Sequence, residues 1–557
     1  MKTLRIGPVS LLLLFSLLLG ALLSVYRWLP DPDTLTLLAP TVESLAILGL
    51  IWATSRTSRS LRAAGAIIAH VAIAIVTSSL VLFGAGEAFY QAIFRRGFVP
   101  WTDLSFLPAL LTMVTGAESF ERIGTLLVLL GVLAVVSSLV YVLVRAAAGR
   151  FRDARRLESL AVFAMVGILT LASGFTVYQE HRSGPARRAL PAPLAVRAAR
   201  QLSPPDEEIT GSSIAGALSL EGGERSARHA FPHLEDRDVH LFIVESYGHT
   251  VTSNPDHREL MMPVYERLSR QLQENGYSSH TGFLRSPVFG GRSWLADATM
   301  LTGAFLDTQH KYESMVETGS RNLTHILGDA GYHRLLAAPG TYEADEQWRA
   351  FHEFDQYLFR YDFGYQGPFI SFGAMPDQFL IHRANELADP GDAPLFMNYV
   401  LVSSHVPFDR LPQYVDDPSI LGDGSIFNEL PIRTFENNWL SGGEYPEGYV
   451  ASIEYTLMTI VSFLADLDST GLAIIVGDHQ PRIPISEPDS SFSVPIHVVS
   501  RDPELIEPFR NYGFTSGFVP NDALAGDIDA HPGMDRLLRM FLDVALGITS
   551  AYESIER

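Results

Sequence analysis

The chain contains no cysteine among its 557 residues. It therefore has no disulfide bond, no cysteine-ligated metal and no cysteine nucleophile. Charge is also scarce, because only 18% of the residues are charged and 47% are hydrophobic, which is apolar for a soluble protein. The charges that are present sum to −21. This acidic balance disfavours a nucleic-acid partner, which would need a basic face on the protein.

Charged residues are almost absent from five long runs in the first third of the chain. Each run has about 20 residues or more, enough for a helix to cross the hydrocarbon core of a bilayer. The predicted spans are Ile6–Tyr26, Thr34–Thr54, Ala63–Gly86, Ile123–Val144 and Leu160–Gln179. A signal peptide is the alternative for the first run, but this run is long for one and four more follow it.

The distribution of basic residues predicts how these spans are oriented. Lysine and arginine lie before the first run and in the loops after the second and fourth runs, which the positive-inside rule assigns to the cytoplasm. Five spans then place the remainder of the chain outside. The shorter run Leu104–Gly116 contains Pro108, and we expect it to be interfacial or re-entrant. A sixth span at that position would reverse the orientation.

These patterns divide the chain into three regions. Residues 1–180 form a predicted five-helix transmembrane bundle, and residues 181–235, rich in proline and polar residues, form a predicted juxtamembrane linker. In residues 236–557, short apolar strands alternate with amphipathic helices. This alternation is typical of an α/β domain with a mostly parallel sheet sandwiched by helices.

Residues of metal-ligand type follow three predicted strands where each strand ends. They are Glu245 after Val239–Val244, His405 soon after Leu395–Val402, and Asp478 with His479 after Leu472–Val476. The carboxyl ends of parallel strands meet at the sheet edge where ligands bind, so we expect these four side chains to converge. Carboxylate oxygens with an imidazole nitrogen suit Zn²⁺ or Mn²⁺. The alternative for Asp478 and its neighbours is a simple turn after the strand.

Ser293 is the candidate nucleophile. Gly290 and Gly291 precede it and permit close backbone approach, and a helix predicted from Leu295 places Ser293 at the N-cap or in the first turn. Free N–H groups and the positive end of the helix dipole favour a phosphate or sulfate group there. A hydroxyl bound to a divalent cation also loses its proton more readily. The alternative is that Ser293 only caps the helix, which contributes about 1 kcal/mol.

Four segments, taken in chain order, carry a family resemblance. ESYG at 245–248, GGRSWLA at 290–296, SSHVPF at 403–408 and GDHQP at 477–481 resemble motifs of the alkaline-phosphatase/sulfatase superfamily. Apolar spans followed by an outer catalytic domain are similar to its membrane branch. That branch includes lipoteichoic acid synthase, phosphoglycerol transferases and phosphoethanolamine transferases. The family nucleophile is commonly Thr, and Ser293 is chemically equivalent to it.

The resemblance implies one divalent cation, with Mn²⁺ preferred and Zn²⁺ or Mg²⁺ as alternatives. The implied ligands are Glu245, Ser293, Asp478 and His479. The implied catalytic residues are Ser293 and His405, and His405 is expected to face the phosphate or the leaving group. The implied substrate-binding residues are His405, Arg292, Trp348 and Arg349. True sulfatases carry a C/S-x-P-x-R pattern, whereas Trp294 follows Ser293 here, which indicates a plain hydroxyl nucleophile and a phosphoester substrate.

The expected activity is metal-dependent transfer of a phospholipid headgroup phosphate, of the phosphoglycerol type, through a phosphoserine at position 293. A phospholipid is the implied donor, and a hydroxyl of a glycan or lipid is the implied acceptor. The resemblance implies a multi-pass protein of a bacterial-type inner membrane, with its catalytic domain on the periplasmic or extracellular side. The alternatives are a membrane-bound phosphodiesterase or sulfatase-like hydrolase that uses water, and a non-catalytic binding or signalling membrane protein.

Overall fold

The computed structural model describes residues 41–57, 63–105, 122–183, 231–341, 343–370, 375–435, 445–467, 471–521 and 531–548, with isolated positions at 16, 19 and 23. The chain divides into two compact units, Met1–Asp206 and Glu207–Arg557. Much of the predicted linker, residues 181–235, lies outside the described residues. Its limits and those of the flanking domains therefore stay a prediction.

Long apolar helices make up the described part of the N-terminal unit. They are α1 (Val42–Thr57), α2 (Ala63–Phe94), α3 (Pro100–Ser105), α4 (Arg122–Asp153) and α5 (Arg156–Ser183). Helix α2 packs on α4, and α1 packs against α2, α4 and α5. The outward side of α4 is also apolar, since Val135, Leu139 and Val142 are 62%, 63% and 64% exposed. Helices that are apolar on both sides are typical of a unit embedded in lipid.

The prediction of five transmembrane helices is not supported. Among the described residues, three helices are long and apolar enough to cross a membrane: Gly65–Phe94, Leu130–Asp153 and Pro446–Asp466. The third belongs to the C-terminal unit, where Ile453, Leu457 and Ile460 are fully buried against the sheet. Helix α1 is apolar but has only 16 residues. The first predicted span lies almost wholly outside the described residues, as does most of Leu104–Gly116.

An eight-stranded sheet forms the centre of the C-terminal unit. In spatial order its strands are β10 (Thr515–Ser516), β2 (Ser278–Arg285), β9 (Ser493–Ser500), β8 (Leu472–Gly477), β1 (Val239–Val244), β5 (Leu395–Leu401), β3 (His333–Ala338) and β4 (Gln356–Phe359). The five strands from β8 to β4 run parallel, and β9, β2 and β10 pair antiparallel at one side. The predicted mostly parallel sheet is confirmed. A short hairpin pairs β6 (Arg410–Pro412) with β7 (Ile432–Thr434).

Helices cover both faces of this sheet, which explains why its central strands are apolar without alternation. In β1, Leu241 and Ile243 enter one core, while Phe242 and Val244 enter the other. The first core is closed by α8 (Ser293–Thr302), α9 (Gln309–Thr318), α10 (Leu323–Asp329), α11 (Glu346–His352) and α15 (Arg536–Ala545). The second is closed by α7 (Pro255–Glu274), α12 (Asp377–Leu387) and α13 (Tyr445–Asp466). Two one-turn helices, α6 (Thr250–Ser253) and α14 (Pro503–Ile506), complete the set.

Close backbone contact joins the loops that leave β1 and β8. A Cβ atom at Gly477 would overlap the carbonyl oxygen of Tyr247, and a Cβ atom at Gly248 would lie 2.7 Å from the Cα atom of Gln480. Both neighbours are backbone atoms, which cannot rotate away as a flexible side chain does. The two glycines therefore let the residues that follow β1 and β8 approach each other.

We predict that Gly477→Ala destabilises the C-terminal unit by about 2 kcal/mol, because an added methyl group in a closely packed region forces the backbone apart. The measurement is thermal unfolding of the detergent-solubilised chain. Gly131→Ala is the matched control, since a Cβ atom at Gly131 meets nothing within 4 Å. An unchanged melting temperature for Gly477→Ala would show that the two loops are not in close contact.

Candidate active site

Three of the predicted ligands converge at the carboxyl edge of the sheet. Glu245, Asp478 and His479 each place one ligand atom within 4.8 Å of the others. The Nε2 atom of His479 lies 3.5 Å from Oε1 of Glu245 and 3.4 Å from Oδ2 of Asp478. All three side chains are buried. Two buried carboxylates beside one imidazole are costly unless a further positive charge is present, so this is a position suited to a cation.

Ser293, the first residue of α8, completes this group. Its Oγ atom donates a hydrogen bond to Oε2 of Glu245 at 3.1 Å and lies 3.3 Å from Nε2 of His479. The loop that precedes Ser293 is hydrogen-bonded to the residues that follow β8. The N–H group of Gly290 donates to the carbonyl of Gln480 at 3.0 Å, and the Ser286 hydroxyl donates to the carbonyl of Asp478 at 2.6 Å.

Asp478 links the ends of β1 and β8 through one carboxylate oxygen. Its Oδ1 atom accepts hydrogen bonds from the backbone N–H groups of Ser246 at 2.8 Å and His479 at 2.6 Å. Ser246 adopts a left-handed backbone with φ of 57°, which costs energy for a residue with a side chain. The interaction with Asp478 helps to hold this conformation, and Oδ2 remains directed at the cluster.

The donor set fits a divalent cation. The Nδ1–H group of His479 donates to the carbonyl of Gln480 at 2.8 Å, which leaves the Nε2 lone pair facing the carboxylates. Two carboxylates, one imidazole nitrogen and one hydroxyl form a mixed oxygen and nitrogen set that suits Mn²⁺ or Zn²⁺. Glu245, Asp478, His479 and Ser293 would hold the cation.

Electrostatics within the cluster agree with this fit. Burial, and then the charge of Glu245, raise the pKa of Asp478 to about 7. Burial opposes a charge on His479, but the carboxylates of Asp478 and Glu245 outweigh it and raise the pKa of the imidazole. Without a metal, the site therefore retains protons that a bound cation would displace.

The charges of the carboxylate cluster also act on His405. Burial lowers its pKa to about 4, and the charges of His479, Asp478 and Arg482 all act on it. Its Nδ1–H group donates to the carbonyl of Val406 at 2.6 Å, which leaves Nε2 as an acceptor. The imidazole is thus neutral at neutral pH.

The strand end that carries His405 is fixed by the buried carboxylate of Asp377. Its Oδ1 atom accepts the N–H groups of Val402 at 2.8 Å and Ser403 at 3.0 Å, and its Oδ2 atom accepts the hydroxyl of Thr456 at 2.6 Å. Beside it, the Ser404 hydroxyl donates to the carbonyl of Glu245 at 2.6 Å. These bonds connect the β5 loop directly to the β1 loop.

The predicted substrate-binding residues differ in where they lie. Arg292 immediately precedes Ser293, in a left-handed conformation with φ of 70°. Trp348 lines a cavity beside α8. Arg349 does not line that cavity: its Nε–H group donates to the carbonyl of Ala344 at 3.2 Å and its guanidinium lies 4.6 Å from the ring centroid of Tyr357.

Sequence reasoning missed three polar residues near the site. Asp297 lies one helical turn after Ser293, and burial followed by the charges of Asp478 and Glu245 raises its pKa well above its usual range. The four-residue spacing on a predicted helix was a usable signal. Arg482 follows the GDHQP motif and acts on His405. Asn398 lies inside the otherwise apolar strand β5, and a buried polar residue at such a position could also have been recognised from the sequence as a candidate site residue.

We predict that a divalent cation stabilises the protein more at about pH 8 than at about pH 6. The metal-free folded state keeps a proton on Asp478 that the unfolded state has lost, since the folded pKa is raised to about 7. This contribution to stability is present at low pH and is lost as the pH rises through that value, while metal binding requires the proton to leave. The measurement is the melting temperature with Mn²⁺ minus that with a chelator.

Asp478→Asn is the matched control, because the amide keeps the shape of the side chain and cannot titrate. We expect it to lose most of the metal-dependent increase at both pH values. An equal increase in the two proteins would show that Asp478 is not a ligand.

Residues 246–496 match the family model described as Sulfatase. No curated protein matches the chain. Among solved structures, the lipoteichoic acid synthase LtaP from Listeria monocytogenes is 16% identical, with a TM-score of 0.31 over 49% of this chain and 67% of LtaP. The phosphoglycerol transferase GacH from Streptococcus pyogenes, solved with sn-glycerol-1-phosphate, is 13% identical, with a TM-score of 0.33 over 49% of this chain and 74% of GacH.

An alkaline-phosphatase-superfamily protein from Vibrio parahaemolyticus is 15% identical, with a TM-score of 0.30 over 47% of this chain and 59% of that protein. The family match covers the stretch from Ser246 to Ile496, which contains Ser293, Asp478 and His479. The resemblance inferred from the four motifs is confirmed. The chain carries a domain that matches the sulfatase family model over residues 246–496, together with helices apolar enough to cross a membrane.

Proposed function

We propose that this protein transfers the phosphate-linked headgroup of a phospholipid, through a phosphoserine at Ser293, to a hydroxyl group of a glycan or lipid. The observation that carries the proposal is the hydroxyl of Ser293 at a helix start, in contact with both Glu245 and His479. A plain hydroxyl within a buried ligand set suits phosphoryl transfer better than binding alone. The sulfatase-family match supports a reaction on a phosphate or sulfate ester.

A bound divalent cation would supply positive charge to the phosphoryl oxygens and favour the ionised form of the serine hydroxyl. The chain itself supplies the remaining groups. Glu245 accepts the hydrogen bond of Ser293 and so orients Oγ. Helix α8 begins at Ser293, and the positive end of its dipole would favour an anionic phosphate there.

In the first proposed step, the oxygen of Ser293 attacks the phosphorus atom of the phosphodiester. A bond forms between Oγ and phosphorus, and the bond from phosphorus to the diacylglycerol oxygen breaks. The serine proton ends on that oxygen, so diacylglycerol leaves as a neutral alcohol. The headgroup stays on Ser293 as a phosphodiester.

In the second proposed step, an acceptor hydroxyl attacks the same phosphorus atom and Ser293 leaves with its proton restored. His405 is the proposed base, because Nδ1 bonds to the carbonyl of Val406 and the lone pair of the neutral ring therefore lies on Nε2. Burial lowers the pKa of His405 to about 4, and an anionic phosphoryl group nearby would raise it toward the working pH.

The lipid donor is proposed from the apolar helices of the N-terminal unit, which would hold the protein in the membrane that contains it. A multi-pass protein of a bacterial-type inner membrane, with the catalytic unit on its outer side, is part of the same proposal. Mn²⁺ is the proposed cation, with Zn²⁺ or Mg²⁺ as alternatives. A hydrolase with the same residues and water as acceptor is the competing activity.

We predict that Ser293→Ala lowers turnover of a labelled phospholipid by at least about a thousandfold, because the nucleophile is removed. Release of diacylglycerol by the detergent-solubilised protein is the measurement. Ser286→Ala is the matched control. This hydroxyl lies in the same loop and bonds to the carbonyl of Asp478 at 2.6 Å but does not touch the carboxylate cluster, so we expect a much smaller loss. Full turnover by Ser293→Ala would contradict the mechanism.

We also predict that diacylglycerol release rises when a glycan or lipid acceptor is added, because the acceptor hydroxyl regenerates Ser293. The labelled headgroup should then appear on the acceptor in equal amount. Headgroup phosphate released only into water, at a rate independent of the acceptor, would identify the hydrolase instead.

A further inference from the structure

A cavity of about 280 Å³ lies beside the nucleophile. It is lined by residues of α8, α9, α11, strands β3 and β5 and the loop 341–345, on the face of the sheet that carries the first core. Asp297 and Trp294 place it next to Ser293 on the same helix. Residues four apart on a helix lie on one face, about 6 Å apart along the axis. One small headgroup could therefore reach from a phosphate on Ser293 to Asp297.

The walls of this cavity are acidic and aromatic. Asp297 lines the interior, and Glu343 and Asp345 are exposed carboxylates that also line it. Trp294, Tyr312 and Trp348 contribute rings. None of the residues found to line the cavity, among those the structure describes, is Lys or Arg. His352 adds no charge, because burial lowers its pKa to about 3.

Two polar groups of the cavity lack partners within the described part of the chain. Oδ1 of Asp297 and Oδ1 of Asn398 are buried and make no hydrogen bond there. Asn398 is only 2% exposed, and its register partners on β1 and β3 are Leu241 and Leu336. An unpaired amide and an unpaired carboxylate oxygen among apolar neighbours are costly, and this cost falls when a ligand supplies hydrogen-bond donors.

We propose that this cavity binds the primary ammonium group of the substrate, so that the transferred phosphoester is of the phosphoethanolamine type rather than phosphoglycerol. An ammonium group carries positive charge and three donors, which matches carboxylates, an unpaired amide and aromatic faces. A quaternary amine lacks N–H donors for the two unpaired oxygens. Burial raises the pKa of Asp297, and an ammonium group beside it would favour the ionised carboxylate, whereas a glycerol headgroup has no charge that could do so. This inference rests on the proposed function and names its substrate class.

In the test, the full-length protein in detergent with Mn²⁺ is incubated with vesicles that contain either phosphatidylethanolamine or phosphatidylglycerol. The mass added to the Ser293 peptide is then measured. We expect the phosphoethanolamine adduct to form at least about tenfold faster than the phosphoglycerol adduct, as for a charge-assisted hydrogen bond. Equal rates with no dependence on Asp297, or a preference for phosphatidylglycerol, would overturn the inference and leave the proposed function standing. No adduct from either lipid would instead contradict the proposed function.

Asp297→Asn tests the role of the carboxylate, because the substitution removes the negative charge and keeps the shape of the side chain. We expect it to slow the phosphatidylethanolamine reaction about 10- to 100-fold while hydrolysis of a small aryl phosphodiester without an amine changes by less than about threefold. An equal loss on both substrates would mean that Asp297 acts only on the fold or on the cation site, and would overturn the inference. Glu317→Gln is the matched control, since Glu317 is exposed on α9 and does not line the cavity, and we expect it to leave both rates unchanged.

Two further measurements do not depend on a variant that folds. Phosphoethanolamine should inhibit aryl phosphodiester hydrolysis by the unaltered protein at lower concentration than glycerol phosphate does, and the reverse order would count against an ammonium site. If both lipids form the adduct equally but its transfer is faster to an amino sugar than to a neutral sugar, the ammonium group belongs to the acceptor, and the inference that the transferred group carries it is overturned.

Discussion

The carboxylate of Asp478 is the constraint on which the site depends. One of its oxygens accepts the backbone N–H groups of Ser246 and His479, so it joins the loop after β1 to the loop after β8. The other oxygen faces His479 at 3.4 Å. The strand pairing of β1 with β8 brings these loops together, and Gly477 allows the contact because it has no side chain.

Beside this junction, the loop after β5 that carries His405 is held by bonds to the loop after β1 and to Asp377 at the start of α12. Ser404 bonds to the carbonyl of Glu245, and Asp377 bonds to the backbone just before His405. The nucleophile loop is attached through Ser286 to the carbonyl of Asp478. Backbone groups take part in most of these bonds, while the hydroxyl of Ser293 and the imidazole of His479 face Glu245. For the proposed function, this arrangement would position the reacting groups before a substrate arrives, which lowers the cost of ordering them.

Much of the C-terminal fold was predictable because strands buried on both faces are continuous apolar runs. The run Leu472–Val476 and its polar end predicted both the strand and the place where ligands gather. Strand β2 (Ser278–Arg285) was missed, because its polar residues are buried only by pairing with β9 and β10. Helix Tyr445–Asp466 shows the reverse case: it is apolar enough to span a bilayer, yet it covers the sheet.

The sequence by itself determined the ligand types, their order at strand ends and the presence of long apolar helices, since these depend on local pattern and residue chemistry. Tertiary structure alone decided that Arg349 stacks on Tyr357 while Trp348 lines the cavity. It alone brought Asn398 and Asp297, 101 positions apart in the chain, to one acidic cavity beside Ser293. Such contacts depend on which helix packs over which strand, and no local pattern specifies that packing.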